Sequence, residues 1–225
     1  MPNARVIAMP RWARLGLISA NSQRAAILQI LQHQTAAGHL ELERRLDLFN
    51  RVRTLTDYRQ VLGRLYGIYA PLEPVLWRAL AALRQELMLD SRRKAPLLSA
   101  DLSACGLSNA DIVGLPRWQA MEPFPAQSQA LGQLYVLEWA TLSGQAMRRH
   151  FRKELALKKD RGLAFFNSYG ADVPERWRRF REVLARHVTT AKQQELAVNG
   201  AHATFEMFKS WMAEESEARQ LAANR

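Results

Sequence analysis

The sequence predicts an all-α protein built as a single domain. Three observations carry this. Nearly every segment repeats its apolar residues at spacings of three and four, and none alternates convincingly as a strand would. Proline and glycine fall mainly between the periodic segments. No internal repeat and no linker-like stretch divides the 225 residues, a length that supports one sizeable core.

Taken in order, Ser22 can cap a first helix over about 23–49, with Leu28, Leu31, Thr35, His39, Leu42 and Leu46 as its inward stripe. Thr56 or Asp57 opens a second, carrying Tyr58, Val61, Leu62, Leu65, Tyr66 and Tyr69, and Pro71 is expected to stop it. A third is expected over about 73–87, with Pro74 in its first turn and Val75, Leu76, Trp77, Leu80 and Leu83 inward. Residues 88–127 are irregular and punctuated by proline, with short helices expected near 96–104 and 108–113. A long helix is expected over 128–154, and the stretch GLAFFNSYG then reads as a short helix ending on Gly170. Pro174 begins a helix with Trp177, Phe180, Leu184 and His187 on one face. The last helix carries Leu196, Thr204, Phe205, Phe208 and Trp211, although Gly200 inside it costs about 1 kcal/mol relative to alanine. Residues 1–21 read as a flexible extension, 22–215 as the folded domain and 216–225 as a frayed tail.

Composition narrows the function classes. The apolar fraction is ordinary for a globular protein, and no apolar run reaches the length of a membrane span. The basic N-terminus, MPNARVIAMPRWARLGLIS, makes a poor signal peptide because its longest apolar run is very short. A single cysteine, Cys105, excludes an internal disulfide, and the expected location is the cytoplasm. The net charge of +11 invites nucleic acid as a partner. The sequence offers no zinc-finger spacing, phosphate-binding loop or helix-turn-helix to support that, so neither nucleic acid nor a membrane is the expected partner. A basic surface also suits anionic small molecules or an acidic redox protein.

The catalytic inventory is thin. The five histidines show no metal-cluster spacing, and neither Ser108 nor Ser143 sits in a nucleophile-elbow context. A cofactor is therefore expected to carry any chemistry. His39 is the candidate metal ligand, because an imidazole on a core-facing stripe can bind iron through one nitrogen while Glu43, one turn on, orients the other. The plainer reading is a satisfied core histidine. In LYVLEWATLSGQ, over 134–145, Ala140, Ser143 and Gly144 thin the helix enough to admit either a flat cofactor or a neighbouring helix.

At these residues the chain resembles the biliverdin-producing haem oxygenases, in particular the bacterial ones that accompany bacteriophytochromes. Five anchors carry the resemblance, in order. They are Thr35-x-x-x-His39-x-x-Leu42-Glu43; Leu65-Tyr66-Gly67-x-Tyr69-x-Pro71-Leu72-Glu73; LYVLEWATLSGQ, against a family pattern LYVLEGxTLGGQ; GLAFFNSYG with Trp177 and Phe180 downstream; and Ala203-Thr204-Phe205. The resemblance implies a single-domain, all-α haem-oxygenase-like fold that holds haem between a proximal and a distal helix, with His39 as the iron ligand. It implies oxidative opening of haem to biliverdin, ferrous iron and carbon monoxide, using dioxygen and an external electron donor. The implied partners are haem, a ferredoxin or another reductase, and a bacteriophytochrome.

The resemblance assigns Thr35, His39, Glu43, Trp139, Ala140, Ser143, Gly144 and Phe205 to the haem site, with Ala140, Ser143 and Gly144 as its catalytic distal positions. Arg178 and Arg181 are candidates to pair with the haem carboxylates, against the alternative of a solvated basic face. The distal helix departs from the family pattern, with Trp139 and Ser143 at glycine positions and Ala140 at a position polar in many members. Trp139 either stacks on the porphyrin or plugs its pocket. The alternative function is accordingly a non-catalytic haem-oxygenase-like protein that binds haem, another tetrapyrrole or a protein partner.

Overall fold

The structure is a computed structural model, and it describes residues 22–119, 125–157 and 161–223, with side chains described over 27–213 within these. The flexible extension expected over 1–21 lies outside the described residues. Among the described residues there is no strand. The helices are α1 (Ser22–Leu46), α2 (Leu48–Arg51), α3 (Leu55–Ala79), α4 (Arg84–Leu87), α5 (Ala95–Ala104), α6 (Asn109–Val113), α7 (Gln127–Ala140), α8 (Gly144–Glu154), α9 (Val173–His187) and α10 (Ala191–Ala223). No helix among the described residues is long and apolar enough to cross a membrane.

Four boundaries differ from the sequence expectation, the first two for local reasons and the others because of a distant partner. The first helix ends at Leu46, because Asp47 turns left-handed at φ 37° and Asn50 donates to its carboxylate. The second begins on Thr54 as a complete capping box with Asp57. It does not stop at Pro71 but continues through Pro71 and Pro74 to Ala79, so no separate helix runs over 73–87. Pro71 has no N–H for the Gly67 carbonyl, and the Trp118 N–H takes that place at 2.9 Å. Gly67 makes room for this visitor, since a Cβ there would lie 2.6 Å from the Pro116 carbonyl oxygen.

The helix expected over 128–154 is two helices. Between α7 and α8 the chain tightens into three-residue turns, Thr141 N–H to Glu138 O and Leu142 N–H to Trp139 O, while the Thr141 hydroxyl also donates to Glu138 O at 2.6 Å. Nor is GLAFFNSYG an α-helix. Residues 161–169 form a run of turns held from outside, where the Asp101 carboxylate accepts from the N–H groups of Ala164 and Phe165, and Tyr58 donates to Gly162 O. The loop lays Phe166 against Phe151 and Phe165 edge-on to Tyr69, at centroid separations of 5.2 and 5.4 Å.

The core gathers around α7, buried on almost every side between α10, α3 and α9. Its crossing with α10 is made of backbone on backbone. A Cβ on Gly132 would sit 1.8 Å from Ala197 O, and one on Gly200 would sit 2.2 Å from Gln129 O. The glycine that looked costly inside α10 is thus what allows the crossing. Gly132→Ala gains about 1 kcal/mol of helix propensity. The clash outweighs it, and the expected net loss is about 3 kcal/mol. A lowered Tm with retained helical circular dichroism would show it, whereas an unchanged Tm would refute the contact.

Candidate functional site

His39 leaves α1 toward the end of α7. Its imidazole meets Trp139 of α7 edge-on at 5.2 Å and Phe205 of α10 edge-on at 6.0 Å. Burial lowers its pKa from the ordinary histidine value, so the ring is neutral at pH 7 and ready to act as a ligand. Glu43, whose pKa burial raises, stands with Oε1 at 3.7 Å from His39 Nε2. That is beyond direct hydrogen-bond reach. With a neutral imidazole it is also no ion pair.

Thr35, one turn before His39, is buried, donates to Leu31 O at 2.7 Å and is hydrogen-bonded to Tyr135 of α7. It thereby sets the spacing between α1 and α7 directly beneath the imidazole. Trp139 extends this contact, lying against Tyr135 at 5.7 Å and against Trp177 of α9 at 5.9 Å. His39 is therefore half-buried and flanked by Trp139 and Phe205, with Trp177 of α9 backing Trp139.

The three small residues have different surroundings. Gly144 is buried under the 161–169 loop, and a Cβ there would lie 2.6 Å from Phe166 O. Its smallness is used by that backbone crossing. Ala140 is exposed, and the Ser143 hydroxyl donates to Ala140 O at 3.3 Å. Of the two candidate arginines, Arg178 is occupied by Glu175 and Glu182, with contacts of 2.7 and 2.5 Å. Arg181 is half-buried, its pKa lowered by burial, and its Nε has no hydrogen-bond partner.

A buried polar network behind the site escaped the sequence reading. Arg92 and Glu138 form an ion pair with neither side chain meaningfully exposed. Tyr169 donates to the other Glu138 oxygen at 2.8 Å, and Arg92 also donates to Leu87 O and Arg176 O. Glu73 accepts from the backbone N–H groups of Lys94 and Ala95. The Glu138 side chain fixes the rotation of α7, and the next residue is Trp139. The only sequence signal was the pair of acids, Glu73 and Glu138, within otherwise apolar helical stretches.

Taken together, these features define a helical protein with a neutral histidine on one helix facing the broken end of another. A family model described as heme oxygenase matches residues 25–214. A heme oxygenase of Xanthomonas campestris pv. campestris (strain 8004) is 33% identical over 164 residues, covering 71% of this chain and 90% of that protein. Two solved structures share the fold. The heme oxygenase of Leptospira interrogans superposes with a TM-score of 0.71 at 16% identity, over 84% of this chain and 99% of that one. The NO- and CO-bound heme oxygenase of Neisseria meningitidis does so with a TM-score of 0.68 at 20% identity, over 84% and 90%. This chain belongs to the haem oxygenase family.

Proposed function

We propose that this protein is a haem oxygenase that ligates haem iron through His39 and opens the ring to biliverdin, with loss of ferrous iron and carbon monoxide. The observation that carries the reading is the neutral imidazole of His39, held between α1, α7 and α10 at the level of the α7–α8 break, in a chain of this family. Bound haem supplies the iron that reacts with dioxygen and the ring that is oxidised. Electrons come from an external donor, a ferredoxin or another reductase, for which the basic surface of a chain with net charge +11 is suited. The family resemblance also suggests a bacteriophytochrome as the consumer of the product. Cys105, buried and single, agrees with a cytoplasmic setting.

The donor chemistry fits haem. His39 provides a neutral nitrogen, and Glu43 lies close enough to orient it through a water molecule. Phe205 buttresses the imidazole, while Thr35 with Tyr135 holds the helix spacing. Ala140 and Ser143 are the small residues on the distal side of the break, and Gly144 shapes the break by admitting the Phe166 backbone. Arg181 is the more available cation for a haem carboxylate, because Arg178 already holds two glutamates.

The packing adds one condition. A porphyrin ligated by His39 needs about 2 Å for the metal–nitrogen bond and about 3.5 Å of van der Waals contact on its other face, before the half-width of the imidazole is counted. The two side-chain rings are 5.2 Å apart. The indole must therefore swing aside before haem can lie on His39. This same contact favours the second reading, a non-catalytic relative in which Trp139 fills the pocket for good.

A haemin titration followed by a reductant in air separates the two. The oxygenase should give a saturable 1:1 Soret band that decays into a biliverdin spectrum. The absence of a specific Soret band in the wild type would overturn the haem reading. Trp139→Gly is expected to accelerate haem association about tenfold or more, corresponding to roughly 1.4 kcal/mol of barrier from the displaced indole. Stopped-flow Soret traces identical to wild type would place Trp139 outside the path.

A further inference from the structure

Lys94 carries a charge that the fold does not fully satisfy. It is 3% exposed, and its Nζ has no hydrogen-bond partner among the described residues. The ammonium lies over the face of Tyr169, 3.3 Å from the ring centroid. A ring face attracts the charge but leaves its three N–H donors without acceptors. Burying such a group unsatisfied is costly.

The elements packed against Lys94 bring charges of both signs. Glu73 comes from α3 and Glu138 from α7, while Arg92 of its own turn and Arg176 of α9 oppose them. Both acids are engaged elsewhere. Glu138 is held by Arg92 and Tyr169, and Glu73 by the backbone N–H groups of Lys94 and Ala95. The guanidinium groups of Arg176 and Arg92 stand 5.5 and 6.0 Å from the centroid of the same tyrosine ring. Three cations thus gather around Tyr169.

That ring is the end of the loop over 161–169, whose Phe166 backbone covers Gly144 at the α7–α8 break. The end of the loop is tied down by few bonds. The Tyr169 hydroxyl donates to Glu138, and the Gln145 amide of α8 donates to Asn167 Oδ1 at 3.0 Å and to Gly170 O at 3.2 Å. Lifting Tyr169 away would let water reach the Lys94 ammonium. A proton on Lys94 therefore favours the lifted loop, and its loss favours the seated one.

We propose that Lys94 is a proton-operated latch on the loop 161–169, loosening its Tyr169 end while charged and seating it over the α7–α8 break once neutral. The latch stands whether or not haem binds on His39, and it is tested on the haem-free full chain.

Burial pushes the Lys94 pKa down to about 8 from the ordinary lysine value of 10.5. Between these values the unfolded or opened chain binds the extra proton, so the closed state gains stability as pH rises through the window. Burial keeps the hydroxyls of Tyr69 and Tyr169 protonated there.

The measurement pairs the wild type with Lys94→Met, whose unbranched thioether side chain keeps an apolar contact with the ring. From about pH 8 to pH 10 the wild-type folding equilibrium, read by denaturant unfolding, is expected to rise about tenfold or more relative to Lys94→Met. At pH 7 Lys94→Met is expected to have the higher Tm. Its amide hydrogen exchange over 161–170 should be slower by about tenfold or more. A variant less stable than wild type, or one that fails to fold, would show that the charge holds the seam together, and would overturn the latch. Parallel pH profiles would overturn it too. So would a gain in Tm with exchange over 161–170 unchanged, since the charge would then act on the whole fold and not on the loop.

Discussion

His39→Ala is expected to remove the imidazole-ligated haem spectrum and to weaken haem binding on the order of a hundredfold. The estimate follows from losing one metal–ligand bond worth about 3 kcal/mol after competition with water. The imidazole is the ligand being removed, and two other histidines are engaged elsewhere. His150 packs against Phe49 and Phe151, and His187 lies 3.4 Å from Glu86 on the far side of α9. Free imidazole should restore the spectrum, since the aromatic side chains that flanked the ring remain. Because burial keeps His39 neutral at pH 7, its ligation needs no proton release until pH falls toward its lowered pKa. An unaltered Soret spectrum in His39→Ala would end the ligand assignment. A lost spectrum that imidazole does not rescue would mean that the substitution had disturbed the fold.

The second large effect is on stability. Glu138→Gln is expected to cost about 3–5 kcal/mol, because it leaves the Arg92 guanidinium buried without its counter-charge. The remaining contacts of Arg92, to Leu87 O and Arg176 O, satisfy N–H groups but not the charge. Tyr169 can still donate to the amide oxygen, so the loss is mainly electrostatic. The double variant Arg92→Met with Glu138→Leu should recover much of the stability, since an ion pair in a dry interior is costly to desolvate. Denaturant unfolding decides it. A loss under about 1 kcal/mol for Glu138→Gln would show that water reaches Arg92. The same variant should also loosen the rotation of α7, and with it the contact of Trp139 with His39.

Much of the architecture was legible in the chain. Where the apolar residues kept a clear stripe the helix matched its expectation, as for α9, whose proline marked its first turn, and at the start of α1. His39 was found for the same reason: it sits on a stripe that must face inward. The larger failures came where the deciding partner was distant in sequence. Pro71 reads as a stop, and it becomes tolerable only because the Trp118 N–H reaches the orphaned Gly67 carbonyl. Residues 161–169 read as a helix until Asp101 and Tyr58 claim their backbone groups.

The sequence by itself determined the helical class, the inward histidine with its carboxylate one turn on, and the family to which the chain belongs. Only the tertiary structure decided where Trp139 points and what the small residues serve. Helix α7 is buried from Leu134 through Glu138, so no polar face marks its orientation, and periodicity is silent on which neighbour each side chain meets. Its rotation is set instead by long-range contacts: Arg92 on Glu138, Thr35 on Tyr135 and the backbone crossing at Gly132. Those contacts turn the indole onto His39 and give Gly144 to the Phe166 carbonyl. A one-dimensional pattern records which residues are apolar or small, whereas their use depends on surfaces that meet only when the chain has folded.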